Sequence, residues 1–146
     1  MAGRVLTKAE DIAAAVRGAR RVAVLGIKTE RQRGQPAFDV PRYLQAAGLE
    51  VVPVPVYYPD VDQILGRPVV RRIQDVSGTI DILDVFRRSQ DLAPHLDDII
   101  AKRPKLVWLQ SGIRDDAFAR ALTEHGIDVV QDRCLMVEHR IAAARG

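Results

Sequence analysis

A single cysteine, Cys134, is all the thiol chemistry the 146 residues offer; it cannot close an internal disulfide, and one cysteine does not build a zinc site. No apolar run approaches the roughly 18 residues that cross a bilayer. The opening stretch MAGRVLTKAEDIAAAVRG lacks the apolar core of a secretion signal. No membrane association and a cytoplasmic location are therefore expected. The net charge of +3 is too mild for composition to imply a nucleic-acid surface. Two nucleotide motifs are missing as well. Neither Gly26 nor Gly34 opens a G-x-x-x-x-G-K-[ST] loop. The first turn carries one glycine instead of G-x-G-x-x-G, and Pro55, Tyr57 and Tyr58 occupy the tip where an acid would take a ribose. A nicotinamide dinucleotide is disfavoured, and NADP or another phosphorylated nucleotide stays as the alternative ligand of an enzyme or regulator.

What is present is 47% hydrophobic and 28% charged, the balance of one compact domain spanning residues 1–146. Thr7 reads as the cap of a first helix running to Arg17, within an N-terminal segment of residues 1–19. Short β-rich runs follow at Arg21–Leu25, Glu50–Val56, Ile80–Val85, Leu106–Leu109 and Ile127–Gln131. Several are apolar on both faces, as parallel strands covered by helices are. Helical periodicity lies between and after them at Phe38–Ala47, Leu92–Lys102, Asp115–His125 and Met136–Ala144. The alternation predicts an α/β fold: a doubly wound, Rossmann-like parallel sheet of about five strands with helices on both faces. Residues 57–76 break the pattern and read as an excursion near the ligand side, with a helical turn at Asp62–Leu65.

In such folds ligands lie beyond the carboxyl ends of the strands. That rule directs attention to the loop from Gly26 to Arg42, which sets Lys28, Arg31, Arg33 and Arg42 against Glu30 and Asp39. Cations beside a helix N-terminus suit phosphate; the same arginines would equally solvate a surface loop. Lys28, Arg31, Arg33, Arg87 and Arg88 could meet phosphates, and Pro55, Tyr57, Phe86 and Ile113 an apolar tail. Tyr57 and Tyr58 are the aromatics expected to stack on a base, whereas Trp108 between Val107 and Leu109 reads as strand packing. His95, His125 and His139 fall in or at the ends of helices, where surface or capping roles are expected. Asp81, Asp84 and Asp132 read as turn acceptors near strand ends. Cys134 reads as a buried small hydrophobe, with a mixed disulfide to a ligand thiol as the reactive alternative.

The segments VAVLGIK, FDVPRYLQAAGLEVVPVPV, IDILDVFRRSQD, LVWLQSGI and DVVQDRCLMVEHRI, at their spacings, resemble the stand-alone coenzyme A-binding domain family, itself similar to the N-terminal domain of the succinyl-CoA synthetase alpha subunit. The resemblance covers residues 20–142. It implies coenzyme A or an acyl-CoA as the ligand. It places Gly26, Ile27 and Lys28 at the first turn, with Arg31 and Arg33 in the loop beyond. Val54, Pro55, Val56 and Tyr57 fall at the second strand's tip, Val85, Phe86 and Arg87 beside the nucleotide, and Gln110, Ser111 and Gly112 nearer the pantetheine. Family members commonly read G-A-S where Gly26-Ile27-Lys28 stands and P-x-K where Tyr57 and Tyr58 stand; Lys28 is the residue expected to restore the charge. The synthetases use a phosphorylated histidine on a second domain outside this sequence, so binding without a catalytic apparatus is the expectation. An accessory role beside a ligase-like partner and a homodimer are left open.

Overall fold

The computed structural model describes residues 2–145. Five strands form a parallel sheet in the order β2-β1-β5-β6-β7: β1 Arg21–Leu25, β2 Glu50–Val54, β5 Ile82–Val85, β6 Leu106–Leu109 and β7 Asp128–Val130. A separate hairpin pairs β3 Gln63–Ile64 with β4 Arg67–Pro68. The helices are α1 Ala9–Gly18, α2 Pro36–Ala46, α3 Leu96–Lys102, α4 Asp116–Glu124 and α5 Leu135–Arg145. Beyond β7, Val5 adds a parallel bridge to Val129, a sheet extension the sequence pattern did not suggest.

Alternation along the strands divides the core. Val22 and Val24, Ile82, Leu106 and Trp108 pack with Ile12 and Val16 of α1, Phe38 and Leu44 of α2, and Leu135 of α5. Ala23 and Leu25, Leu83 and Val85, Val107 and Leu109 pack on the opposite face with Ile99 of α3 and Phe118 and Leu122 of α4. Burial of both sheet faces explains why these strands read as continuous apolar runs. β1 lies between β2 and β5, so the chain leaves it in one direction and returns on the other side. The order reverses there, and a crevice opens at the carboxyl ends of β1 and β5.

Four local expectations are corrected. Thr7 does not cap α1; Lys8 precedes the helix and no side chain caps it. The third helix starts at Leu96 instead of Leu92, because two short 3-10 turns, Ser89–Asp91 and Ala93–His95, precede it, the second holding Pro94. The helical turn at Asp62–Leu65 is instead part of the β3–β4 hairpin. Leu65 and Gly66 both have positive φ there, 54° and 71°, the arrangement of a two-residue hairpin turn. β2 stops at Val54, short of Val56.

One helix contains its own breaker. Pro41 lies inside α2 and has no N–H to give to the carbonyl four residues back, that of Ala37. The Lys28 amide takes that carbonyl instead, at 3.1 Å. A proline in one element thereby anchors the loop that follows another.

Candidate functional site

The loop after β1 begins at Gly26, whose φ of 84° suits glycine; a methyl group there would stand 2.4 Å from the Phe86 carbonyl oxygen. The close approach brings the first turn against the end of β5. Gly26 donates to the Val54 carbonyl at 2.9 Å, and Phe86 donates to that of Leu25 at 2.9 Å. These bonds carry the strand ends into one rim. The loop is structured beyond this point: a 3-10 turn spans Glu30–Gln32, and Thr29 and Gln32 close a capping box around its start. Thr29 Oγ1 donates to Gln32 Oε1 at 2.7 Å, while that oxygen also accepts from Thr29 N at 3.0 Å.

A cavity of about 630 Å³ opens on this rim, within the size range of ligand pockets. Its first wall is Lys28 with Gln35, Pro36 and Ala37 at the start of α2. Pro36 occupies the first turn of that helix and no side chain caps it, so the positive end of the helix dipole meets the cavity beside the Lys28 ammonium. Lys28 Nζ donates to Gln35 Oε1 at 2.5 Å. The second wall is Phe86, Arg87, Arg88, Ser89 and Gln90 after β5. Arg87 lies over the Tyr57 ring at 5.7 Å and its Nε is buried with no hydrogen-bond partner. The far end is Gln110 to Ile113 after β6, with Cys134 from the start of α5.

The predicted site residues separate into groups. Lys28, Phe86, Arg87, Gln110, Ser111 and Gly112 line this cavity together. Gly26 shapes its edge by the contact just described. Arg31 lines a second groove of about 680 Å³, bounded on its other side by Tyr58, Pro59 and Asp60. Arg33 follows the 3-10 turn, is exposed and lines neither space. Ile27 is only 1% exposed and packs in the core, so it reaches the rim through its backbone alone. Val54, Pro55 and Val85 are likewise buried, and Val56 is half-buried under the opposite face. Tyr57 is 63% exposed above Arg87, and Tyr58 is turned toward the second groove with a φ of 65°.

The sequence reading missed Gln35, Pro36 and Ala37, because it began the helix at Phe38; Pro36 at its first position was the available signal. Gln90 gives no signal of its own, whereas Ser89 closes the strand end Val85–Ser89 that the strand-end rule selects. Asp84 corrects another expectation. Instead of a turn acceptor, it is 0% exposed on β5 between Val24 and Trp108, and neither carboxylate oxygen has a partner. Burial pushes its carboxyl well above the ordinary range. Asp81, by contrast, accepts from the amides of Arg20 and Arg21, both at 2.9 Å. Asp132 accepts from Gly112 N at 2.7 Å. Trp108 is wholly buried, its Nε1 donating to the Arg133 carbonyl at 2.8 Å.

Chemically, one end of the cavity is cationic and the other uncharged. Among the described residues that line it there is no carboxylate and no histidine. His95 stands outside, pushed below the ordinary imidazole value by burial and then by the charge of Arg87. No group of three metal-ligating side chains occurs among the described residues, and no helix among them is long and apolar enough to cross a membrane.

The family model described as a CoA binding domain matches residues 20–140. An uncharacterized protein of Bacillus subtilis (strain 168), YneT, is 31% identical over 122 residues, which are 84% of this chain and 87% of that one. Among solved structures, cell-free ID.343 from Thermus thermophilus is 43% identical with a TM-score of 0.84, over 93% of this chain and 99% of that one. The dinucleotide-forming acetyl-coenzyme A synthetase 1 of Ca. Korarchaeum cryptofilum shares the fold at 18% identity and a TM-score of 0.61, over 75% of this chain and 25% of that one.

Proposed function

The chain belongs to the CoA binding domain family, and on that premise we propose that its rim cavity holds coenzyme A or an acyl-CoA. The observation that carries the reading is the polarity of the cavity. Lys28, Arg87, Arg88 and the uncapped start of α2 gather positive charge and dipole at one end, while Gln110 to Ile113 and Cys134 present an uncharged surface at the other. Coenzyme A has that same division, a phosphorylated nucleotide joined to an uncharged amide arm. The buried, unpartnered Nε of Arg87 is a donor that an anionic or carbonyl oxygen would satisfy. In this reading Lys28 and the α2 terminus neutralise phosphate, Arg87 and Tyr57 flank the nucleotide, and the turn after β6 receives the arm. The protein binds and presents the ligand, and no residue is assigned a catalytic step.

Calorimetric titration with coenzyme A, its dephospho form and NADP, in parallel at one salt concentration, tests the reading. Tighter binding of coenzyme A than of either comparator is expected, weakening as salt rises because Lys28 and the arginines act through charge. Binding of NADP alone, or of none of the three, would refute it.

A further inference from the structure

Gln110 is 4% exposed, yet it forms part of the cavity wall. Its Oε1 accepts from Leu135 N at 3.1 Å, the first amide of α5 and one that no carbonyl within the helix can take. A carboxamide has an acceptor on one side and two donors on the other. Rotating it by half a turn would set NH2 against N–H, donor against donor, so the helix terminus dictates which way it faces. The described residues supply no acceptor for Nε2, and that nitrogen is not sealed away in the manner of the Asp84 oxygens. The open space beside it is the cavity.

The turn that carries Gln110 is held in place. Ile113 N donates to the Gln110 carbonyl at 2.9 Å, Asp132 N to the Ile113 carbonyl at 3.1 Å, and Gly112 N to Asp132 Oδ1 at 2.7 Å. Asp132 adopts a left-handed φ of 56° where these bonds converge. The Gly112 amide and the Gln110 and Ile113 carbonyls are thereby taken. The Ser111 hydroxyl is exposed and rotates, offering a donor or an acceptor with equal ease. The Gln110 NH2 is thus a side-chain donor of fixed orientation at the uncharged end.

We infer that Gln110 is the specificity-determining residue of that end, donating to an amide carbonyl of the ligand's arm. The inference rests on the coenzyme A reading of the cavity and adds to it the sense of the hydrogen bond: the site reads an acceptor there, and a bare nucleotide or an arm without a carbonyl leaves the donor unsatisfied.

The discriminating variant is Gln110→Glu. Glutamate still accepts from Leu135 N, and its charge at the start of α5 favours the helix, so the fold is kept. What changes is the cavity side, where a carboxylate oxygen would replace the donor. Titration of wild type and variant with coenzyme A, acetyl-CoA and adenosine 3′,5′-bisphosphate, which has no arm, reads the effect. Expected is a loss of about tenfold or more for both arm-bearing ligands, with the bisphosphate changed by less than about twofold and the melting temperature not lowered. Gln110→Met removes donor and acceptor together without adding charge; it is expected to give the same split between ligands with a lowered melting temperature. A residue that merely supports α5 would leave coenzyme A affinity intact in the glutamate variant. That result, an equal loss for all three ligands, or a loss confined to acetyl-CoA would overturn the inference. Failure of the wild-type protein to bind coenzyme A would instead overturn the reading of the cavity, and the inference with it.

Discussion

Asp84 makes a property of the core measurable through pH. Its carboxyl lies in the sheet between Val24 and Trp108, wholly excluded from solvent, with neither oxygen hydrogen-bonded. An ionised carboxylate in such a place carries an uncompensated desolvation cost, so the folded protein retains the proton well above the ordinary aspartate range. The folded state then binds more protons than the unfolded one. Stability from this group is complete below the unfolded value near pH 4 and declines as pH rises toward the raised folded value. The slope is about 1.4 kcal/mol per pH unit for one proton across the window between the unfolded and the folded value. Asp84→Asn keeps the shape and cannot titrate. Urea unfolding of both proteins at half-unit steps from pH 4.5 to 7.5 should therefore show the variant gaining on wild type as pH rises, at up to that slope, equivalent to roughly 2–4 °C in Tm per kcal/mol. Parallel curves across the range would refute the reasoning, because they would mean that folding does not change the proton affinity of Asp84.

Gly26→Ala places a methyl group 2.4 Å from the Phe86 carbonyl oxygen at a φ of 84°. It should lower stability by about 3 kcal/mol or more, read as a drop in the urea midpoint; a change under about 0.5 kcal/mol would show that the rim relaxes freely. Pro41→Ala returns an N–H to the interior of α2, where it competes with Lys28 N for the Ala37 carbonyl. Faster hydrogen exchange at the Lys28 amide and weaker coenzyme A binding are expected without loss of stability, and an unchanged exchange rate would contradict the anchoring role.

The strands show how local pattern succeeds. Arg21–Leu25 and Leu106–Leu109 are bounded in the structure where the sequence predicts them, because buried parallel strands are short apolar runs that need only their own residues to be recognised. The helices show where it fails. Pro36 and Pro94 move two helix starts by a few residues, since the same residue type opens one helix and forces 3-10 turns ahead of another. At the hairpin, a leucine holds the first left-handed turn position, and leucine gives no signal for it. The basic loop was visible as a run of cations. Its division, with Lys28 on one cavity, Arg31 on another and Arg33 on neither, follows from the capped 3-10 turn between them.

Fold class and the strand ends that meet at the rim were thus set by neighbouring residues alone, through periodicity, glycine and proline. The family resemblance of residues 20–142 was carried by motifs of the same local kind, in accord with the match over residues 20–140. The burial of Asp84, the Pro41 to Lys28 anchor and the direction of the Gln110 amide emerge only in three dimensions. Leu135 lies 25 residues from Gln110, and sheet order with helix docking brings its amide to 3.1 Å from the side-chain oxygen. Hydrogen bonding and desolvation depend on distance in space, and along the chain that distance carries no mark.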